Sequence, residues 1–510
     1  MSADNGEDYS PRRDGPPPIR ISRRTLLIGL GALAVSGAAG YWLTEGQPST
    51  PGTSFTTPLR VPPLLESEIV DGERVFRLAA QSGETELVPG TRFSTMGFNG
   101  TYLGPTIRAT RGERVRMHVT NELSMPTTAH WHGMILPATQ DGTPHQSIKP
   151  SETWSAAWQI DQPATTLWYH PHPHGQTELQ VGRGMAGVFI IDDDSSAALP
   201  SDYGVDDIPL IIQDVAVSPG GSPGTATAAP IGRIGNSVIV NGTHQPHFEA
   251  STSLVRLRIL NASAARCYNL EFSTQQAFHL VGTDGGHLPS PEPLTQLLLS
   301  PAERAEILVQ LSPGADVVLR SVPHDLGMSP SDNITSGAED TLDILRITAP
   351  NIPTPGVLPA TLASAELPRK TEITTERHFT LGNTTINGKS MDMSRIDTVI
   401  SANATEMWTI SNSSNRAHNF HIHGTQFAVS SRNGRTPEVQ NRGLKDTIFI
   451  PRGDTVELIV PFNSFADSST PYMYHCHLLW HEDQGMMAQY VLTDDEHQPE
   501  PSPDDHHDHH

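Results

Sequence analysis

The sequence predicts an all-β protein built from three related β-sandwich domains. Only 17% of its 510 residues are charged, whereas 42 Gly and 43 Pro supply many turns, a composition that favours short strands over long helices. A chain of this length exceeds one ordinary hydrophobic core and suffices for two to four domains. A β-rich segment that ends in Asn occurs three times, at 112–121, 252–261 and 404–412, which indicates an internal repeat. Residues 114–120 and 253–260 of these segments alternate in the way that a half-buried strand does.

The first 45 residues carry the features of an export signal. Arg23 and Arg24 precede an uncharged run rich in Gly and Ala, and this arrangement resembles a twin-arginine signal. A single transmembrane anchor is the alternative, because the run is about long enough to span a bilayer, although it is weakly hydrophobic. We expect residues 1–45 to be a twin-arginine signal peptide. Its export machinery would deliver the protein to the periplasm, the cell envelope or the extracellular space.

Shifts in composition separate the three domains. Turn-rich residues around 195–206 and a Pro-rich stretch at 349–367 divide the chain into segments that can each bury a core. The expected segments are domain 1 at 57–195, domain 2 at 205–350, a linker at 351–374 and domain 3 at 375–495. The last residues, 496–510, are rich in Pro, Asp and His, and we expect a disordered tail.

Charge and cysteine content exclude several classes of function. The formal net charge of −23 argues against binding to nucleic acid or to an anionic membrane surface. Cys267 and Cys476 are the two cysteines, so one disulfide is possible but a disulfide scaffold is excluded. We interpret Cys267, which has no His nearby, as a buried apolar residue. The 24 histidines are unusual in an acidic chain and suggest a metal site.

Ten of the histidines fall in four short clusters, each with the pattern His-x-His. The clusters lie at 130–133, 168–172, 418–424 and 475–481. Residues i and i+2 of a strand face the same side, so four such pairs could direct eight imidazoles to one place. Neutral imidazole binds copper, zinc, iron and nickel, so the histidines alone do not identify the metal.

The fourth cluster indicates copper. A Cys, two His and a weak axial Met form the ligand set of a blue copper electron-transfer site. Cys476, His481 and Met486 supply three of these ligands within eleven residues, and His418, the unpaired His of the third cluster, is free to be the fourth.

The residues that flank Cys476 indicate electron transfer between two metal sites. Strand alternation would direct Cys476 to one face and both His475 and His477 to the other. One short segment would then contact two sites, joined by a few covalent bonds over a span on the order of 10 Å. Such a connection would carry single electrons.

In their order and spacing, the four clusters resemble the copper motifs of the multicopper oxidases, the family of laccases and bacterial cuprous oxidases. The resemblance extends over about residues 57–495 and includes the segments 282–287 and 443–447. It implies three cupredoxin-like Greek-key β-sandwich domains. It also implies four copper ions, one of type 1, one of type 2 and two in a type 3 pair.

The same resemblance implies a role for each motif residue. The implied type 1 ligands are His418, Cys476, His481 and Met486. The implied type 2 ligands are His130 and His421, and the implied type 3 ligands are His132, His170, His172, His423, His475 and His477. The type 2 ion and the type 3 pair together form a trinuclear cluster, which would lie between the first and last domains. The middle domain would be a spacer without copper.

Two carboxylates match acidic positions that the family uses near the trinuclear cluster. Glu482 directly follows His481, and Asp141 lies eleven residues after His130. The reduction of dioxygen to water consumes protons, so we expect Glu482 and Asp141 to have catalytic roles. An ordinary turn at Asp141-Gly142 is the alternative for the second carboxylate.

The resemblance implies an oxidase that couples one-electron oxidation of a substrate to the four-electron reduction of dioxygen. Cuprous ion, in copper detoxification, is the expected substrate, and phenols or aromatic amines are the alternative. The positions that are acidic and Met in some cuprous oxidases are Ser414 and Arg416 here, which puts cuprous ion in doubt. Met391 and Met393 are the nearest substitutes as soft ligands.

A hypothesis of another class is a non-catalytic relative that serves as a copper-binding or scaffold protein in the cell envelope. Such a protein is expected to have lost copper ligands, whereas this chain retains a residue of the expected type at all twelve positions. The His-rich tail either captures copper at the surface or is a solvated acidic tail. We expect the protein to act as a monomer.

Overall fold

A computed structural model describes residues 55–494 of the chain. The predicted signal peptide at 1–45 and the predicted tail at 496–510 lie outside the described residues. Within the described range nearly all regular structure is β, which confirms the predicted fold class. No helix between residues 55 and 494 has both the length and the hydropathy needed to cross a membrane.

The strands are numbered along the chain. The first ten are β1 Thr57–Pro58, β2 Ser67–Val70, β3 Glu73–Val88, β4 Thr91–Phe98, β5 Ile107–Thr110, β6 Arg114–Asn121, β7 His130–His132, β8 Thr153–Gln159, β9 Thr165–His170 and β10 Gly187–Asp192. The next fourteen are β11 Asp207–Val215, β12 Thr227–Ala229, β13 Gly232–Ile234, β14 Ser237–Val240, β15 Thr243–His244, β16 Pro246–Glu249, β17 Leu254–Asn261, β18 Tyr268–Phe272, β19 Phe278–Thr283, β20 Gly286–Leu294, β21 Leu297–Leu299, β22 Arg304–Gln310, β23 Asp316–Ser321 and β24 Leu342–Thr348. The last ten are β25 Ile373–Leu381, β26 Thr398–Ser401, β27 Thr405–Asn412, β28 His418–Ile422, β29 Phe427–Arg432, β30 Leu444–Lys445, β31 Thr447–Ile450, β32 Thr455–Pro461, β33 Asp467–His475 and β34 Met487–Thr493.

The helices of the described range are short. The α-helices are Thr177–Gly182, Pro330–Thr335 and Leu479–Asp483. The 3₁₀ segments are Ala138–Gln140, Pro144–Gln146, Asp194–Ala198, Lys370–Glu372 and Val439–Asn441.

The strands form one pair of larger sheets in each third of the described chain. The first pair has the orders β2-β3-β6-β8, with β4 beside β3, and β5-β10-β9-β7. The middle pair has the orders β15-β14-β11-β17-β22-β19-β20 and β1-β16-β24-β23-β18-β21. The last pair has the orders β25-β27-β32-β29-β30 and β26-β34-β33-β28-β31. Neighbours that are not consecutive, such as β3 and β6, require the crossing connections of Greek-key sandwiches.

A separate hydrophobic core lies between the two sheets of each pair. The first core includes Phe76 from one sheet and Phe189 from the other, and the second includes Leu257 and Leu319 in the same way. The third core, which surrounds Trp408, also takes in side chains of the middle segment. Three cores agree with three sandwich domains, whereas the exact domain limits remain a prediction.

The repeated segment corresponds to the same strand in each third of the described chain. β6, β17 and β27 each run parallel to an earlier strand and antiparallel to a later one, and each ends in Asn. The side chains of Asn121, Asn261 and Asn412 each donate to two backbone carbonyls and accept from the amide two residues further on. The repeat in the sequence is therefore a repeat in the structure.

Strand β17 differs from the alternating, half-buried strand that its sequence predicts. All eight of its residues are buried, including Arg256 and Arg258. The Arg256 Nε atom lies 2.9 Å from Oε2 of Glu306, and the Arg258 Nε atom lies 2.6 Å from Oδ1 of Asp207. The expectation was wrong because charged side chains stay buried when carboxylates pair with them.

Candidate metal centre

Two pairs of neighbouring strands position the clustered histidines. In the first domain β7 pairs with β9 and places His130 opposite His170. In the last domain β28 pairs with β33 and places His421 opposite His475. These side chains converge in the structure, because the rings of His130 and His421 lie 5.9 Å apart.

Strand alternation explains only one of the four His-x-His pairs. His130 and His132 both lie in β7, whereas the other three pairs cross the end of β9, β28 or β33. The expectation of four pairs on strands was therefore wrong for three. Pro171 shows one physical reason, because a residue without an amide hydrogen cannot extend the hydrogen-bond ladder beyond His170.

His132, His170 and His477 form one compact group. Nδ1 of His132 and Nε2 of His477 each lie 3.3 Å from Nε2 of His170. The other nitrogen of His132 lies 3.0 Å from Oδ1 of Asp446, and Nδ1 of His170 lies 2.8 Å from the Pro171 carbonyl. Since these outer nitrogens donate to oxygen, the inner nitrogens present lone pairs to each other, an arrangement that a cation between them stabilises.

His172, His423 and His475 form a second group. Nε2 of His475 lies 3.2 Å from Nε2 of His172 and 3.1 Å from Nε2 of His423. Three nitrogens arranged tetrahedrally around one ion at about 2 Å would lie about 3.3 Å apart. The spacing in both groups therefore fits a bound metal ion.

His130 and His421 offer two further nitrogens that have no partner. Nδ1 of His130 lies 2.9 Å from the carbonyl of Asp141, and Nδ1 of His421 lies 2.9 Å from the carbonyl of Asp446. The Nε2 atoms of both rings are buried and make no hydrogen bond. A buried nitrogen without a partner is costly, so these two atoms fit a metal ion.

His418, Cys476 and His481 form a site of different chemistry. The Sγ atom of Cys476 lies 3.6 Å from Nδ1 of His418 and 3.6 Å from Nδ1 of His481. Nε2 of His418 lies 2.9 Å from the Ser414 hydroxyl, and Nε2 of His481 lies 2.8 Å from the Pro230 carbonyl. Both Nδ1 atoms are thereby directed at the sulfur, which gives the two imidazoles and one thiol of a blue copper site.

Met486 is anchored to the same group through its backbone. Its amide donates to the His481 carbonyl at 3.0 Å, and its carbonyl accepts from the Cys476 amide at 3.1 Å. The Met486 side chain is fully buried in the third core, together with Cys476. The thioether is thus held within the environment where an axial ligand is expected.

Cys476 connects this site to both groups of three histidines. Its neighbours in the chain, His475 and His477, belong to different groups. Asn419 fixes the connecting segment, because its Oδ1 atom accepts from the His477 amide at 2.6 Å and lies 3.6 Å from the Cys476 sulfur. The predicted covalent connection between two metal sites is present in the fold.

Burial keeps eight of these imidazoles neutral, as metal ligands must be. Desolvation lowers the pKa of His172 to about 3 and that of His481 to about 4. It also holds the pKa well below the usual value in His132, His170, His418, His421, His423 and His477. Burial raises the pKa of Cys476 to about 12, so its thiolate requires the charge of a bound metal.

Each of the two predicted carboxylates contacts two imidazoles. Asp141 Oδ2 lies 2.8 Å from Nδ1 of His423, and its Oδ1 lies 3.2 Å from Nδ1 of His130. Glu482 Oε1 lies 3.4 Å from Nδ1 of His172, and its Oε2 lies 3.3 Å from Nδ1 of His475. Both carboxylates can therefore orient imidazoles.

Sequence reasoning missed several partners of the imidazoles. Asp446 contacts His132 and lies in the 443–447 segment, so its position in that motif was an available signal. No feature of the sequence identifies the Pro230 carbonyl, because this backbone oxygen of the middle domain becomes a partner of His481 only when the chain folds. The middle domain thus contacts the proposed type 1 site and is more than a spacer.

The second cysteine and one further histidine stand outside these groups. Cys267 is a free, buried thiol in the third core, which confirms its interpretation as a buried apolar residue. His174, two residues after His172, is exposed.

The fold and the donor groups together define a class of protein. Three Greek-key sandwiches with a Cys/His site linked through one segment to a cluster of eight imidazoles describe a copper-dependent oxidoreductase. Models of the family described as "Multicopper oxidase" match residues 79–196 and 363–496. The chain belongs to the multicopper oxidase family, and this membership implies copper.

Relatives within the family have different names. The chain is 36% identical over 431 residues to multicopper oxidase mco from Staphylococcus aureus, with 83% of this chain and 89% of the relative covered. It is 35% identical over 484 residues to the cell division protein FtsP from Escherichia coli strain K12, with 93% and 99% covered.

A solved structure shares both the fold and much of the sequence. The laccase-like multi-copper oxidase CueO from Ochrobactrum sp. aligns with a TM-score of 0.78 and 35% identity, covering 86% of this chain and 100% of that chain. That protein has oxidase activity towards lignin model compounds and lignosulfonate.

Proposed function

We propose that this multicopper oxidase takes single electrons from a reducing substrate and uses four of them to reduce dioxygen to water. The observation that carries the proposal is the convergence of the eight imidazoles beside the Cys476 site. Copper, when bound, supplies the one-electron redox chemistry and the binding of dioxygen.

The proposed copper content is four ions. His418, Cys476, His481 and Met486 would hold one ion, and His130 with His421 would hold a second. The remaining pair would be held by the two groups of three, namely His132, His170, His477 and His172, His423, His475. Every one of these twelve side chains is at most 1% exposed, which excludes bulk water from the donor atoms.

The chain itself contributes a connection and a supply of protons. Cys476 is bonded through the backbone to His475 and His477, which gives electrons a short path between the sites. Asp141 and Glu482 each lie beside two imidazoles and are the groups placed to hold protons for the reduction of dioxygen.

We propose cuprous ion as the first candidate substrate. The acidic surface implied by the net charge of −23 attracts cations. The Met391 amide donates to the carbonyl of Gly485 at 2.8 Å, so the segment with Met391 and Met393 packs beside the residue that precedes Met486. Thioether sulfur is a suitable ligand for cuprous ion.

A small aromatic reductant is the second candidate. The guanidinium carbon of Arg416 lies 5.3 Å from the centre of the Trp480 ring, which is 5.6 Å from the ring of His481. Trp480 also forms part of the wall of a cavity of about 570 Å³. A cation and a half-buried aromatic ring beside a type 1 ligand suit an anionic or aromatic donor better than a cuprous cation.

Two measurements test the proposal. Copper-loaded protein should consume one dioxygen for every four electrons supplied. A loaded protein without oxygen uptake would favour the alternative hypothesis of a non-catalytic scaffold. Under anaerobic conditions, cuprous ion and a phenol should then be compared by the rate at which each removes the blue absorption. The faster donor identifies the substrate class.

We also propose export by the twin-arginine route. The support is the Arg23-Arg24 pair followed by the uncharged run. Replacement of both residues, Arg23→Lys and Arg24→Lys, should retain the protein inside the cell, whereas replacement of Arg12 and Arg13 by Lys should not. Fractionation of cells measures both outcomes, and equal export of the two double variants would contradict the proposal.

A further inference from the structure

Arg304 of strand β22 lies at the junction of all three domains. Its Nε atom donates to the Thr166 carbonyl of domain 1 at 3.1 Å. Within domain 2, Nη1 donates to the Ala302 carbonyl at 3.0 Å and Nη2 to the Asp284 carbonyl at 2.9 Å. The two remaining donors bind the Asp446 carboxylate of domain 3 at 2.7 and 2.6 Å. All five N–H groups are thus satisfied, which fixes the fully buried guanidinium in one orientation.

Asp446 connects this guanidinium to two proposed copper ligands. Its Oδ1 atom lies 3.0 Å from Nε2 of His132, and its carbonyl lies 2.9 Å from Nδ1 of His421. Thr447 Oγ1 donates to Asp446 Oδ1 at 2.9 Å and lies 3.2 Å from both rings. The two imidazoles stack with centroids 3.7 Å apart and an interplanar angle of 11°. One residue therefore contacts both a type 3 and a type 2 ligand.

Gly133 leaves the space that this pair occupies. A Cβ atom at this position would meet Asp446 Oδ2 and would lie 2.8 Å from Nη2 of Arg304. The residue also has a φ angle of +83°, which favours glycine. The Gly that directly follows His132 therefore allows the Arg304–Asp446 pair to approach the His-x-His segment.

Resting on the proposed function, we propose that Arg304 is a positioning residue for the trinuclear copper site. Its two hydrogen bonds to Asp446 fix the orientation of that carboxylate. The carboxylate then accepts from Nε2–H of His132 and leaves Nδ1 of that ring as the metal-binding atom. The middle domain, which carries none of the twelve proposed ligands, thereby controls two of them.

The loss of Arg304 would leave a buried carboxylate without its cation. Such a carboxylate turns towards another donor, because an unpaired buried charge is costly. His132 then loses the acceptor that sets its tautomer. Removal of a partner of this kind typically weakens metal binding about 10- to 100-fold.

Arg304→Gln and the matched control Arg258→Gln test the proposal in the full chain. Arg258 is equally buried and pairs with Asp207 and Glu306, and none of its hydrogen bonds or ion pairs involves a proposed copper ligand. Both variants and the parent are titrated with copper at buffered free concentrations. Bound copper, the electron paramagnetic resonance signal of type 2 copper and the blue band are followed. The blue band is an internal reference, because Asp446 contacts no proposed type 1 ligand among its hydrogen bonds and ion pairs.

The expected result is selective loss at the trinuclear site. Arg304→Gln should need about 10- to 100-fold more free copper to develop the type 2 signal, while the blue band develops as in the parent. Arg258→Gln should bind as the parent does. An unchanged type 2 titration of Arg304→Gln, or an equal shift in Arg258→Gln, would overturn the assignment.

Asp446→Asn gives a second test if Arg304→Gln does not fold. The amide keeps the size of the side chain but cannot form the same charged pair, so the same selective shift is expected, and a normal titration would overturn the assignment. A parent protein that binds no copper overturns the proposed function itself. Normal copper binding by the parent and by both variants would instead overturn only the role of Arg304.

Discussion

The carboxylate of Asp141 lies 2.8 Å from Nδ1 of His423, a residue 282 positions further along the chain. The contact joins the first and last domains directly at the imidazole cluster. The Nε2 atoms of His172 and His475 lie 3.2 Å apart across the same junction. The proposed trinuclear site is therefore complete only when the two domains pack together, and the geometry of the site is set by that packing.

Cys476→Ser should remove the blue absorption and abolish turnover, while the other copper ions still bind. The serine oxygen is a poor substitute for thiolate, and Cys476 is the sulfur that lies 3.6 Å from both His418 and His481. Absorption spectra and copper analysis measure the result. Cys267→Ser is the matched control, because Cys267 is also a buried free thiol and should leave the colour unchanged. A blue Cys476→Ser protein would contradict the assignment.

Met486→Leu should keep the site blue and raise its reduction potential. Leucine preserves the volume and burial of the side chain but removes a weak axial sulfur donor that stabilises the oxidised ion. A redox titration of the blue band measures the potential. The adjacent Met487→Leu is the control, since Met487 begins strand β34, and it should leave the potential unchanged. An effect of Met487→Leu alone would assign the axial position to Met487.

The ligand types were predictable from the sequence because they lie in short motifs. Four clusters identify the donor atoms, and the Cys-His-Met set at the end of the chain indicates copper. The arrangement around His132 was not predictable in the same way, because Asp446 and Arg304 become its neighbours only when three domains assemble. Local patterns predict strands and ligands, whereas the partners that orient the ligands depend on long-range packing.

Strand β17 illustrates the same limit within one element. Its alternating sequence correctly predicts a strand, but alternation alone cannot show whether a second surface covers the polar side. Glu306, which pairs with Arg256 and Arg258, lies on β22, the neighbouring strand. The burial of the arginines therefore depends on a residue far along the chain, since Glu306 lies 50 positions after Arg256.

The copper-free protein should become less stable as the pH falls from 7.5 to 5. His172 and His481 have pKa values lowered to about 3 and about 4 in the fold, whereas an unfolded imidazole titrates near 6.5. Below pH 6.5 the unfolded chain thus binds more protons than the folded chain. Each such group lowers the free energy of unfolding by on the order of 1 kcal/mol per pH unit.

Urea unfolding at several pH values measures this effect. The midpoint should fall as the pH decreases below 6.5, and calorimetry should detect uptake of protons on unfolding in the same range. A midpoint that does not change between pH 7.5 and 5 would contradict the prediction. The neutral histidines make their full contribution to the free energy of unfolding above pH 6.5. The urea midpoint should therefore be nearly constant between pH 7 and 7.5.

Glu482→Gln should slow the reduction of dioxygen more than the oxidation of substrate. Its two carboxylate oxygens lie 3.4 Å and 3.3 Å from Nδ1 of His172 and His475, respectively. The glutamine side chain presents its oxygen as an acceptor to one ring and its NH2 group as a donor to the other. It cannot deliver a proton as a carboxylic acid does. The loss of a general acid typically slows a step about 100-fold or more.

Stopped-flow measurements of the blue band separate the two half-reactions of Glu482→Gln. Anaerobic reduction by substrate should keep the parent rate, since Glu482 makes no hydrogen bond or ion pair with His418, Cys476 or His481 in the structure. Reoxidation by oxygen should be slow, and slower still at higher pH, where protons from solvent are scarce. Asp483→Asn is the control, because the Asp483 carboxylate accepts from the amides of Thr177 and Glu178 rather than from imidazoles. If Glu482→Gln is reoxidised at the parent rate with its full copper content, Glu482 does not supply the protons, and Asp141 or solvent must do so.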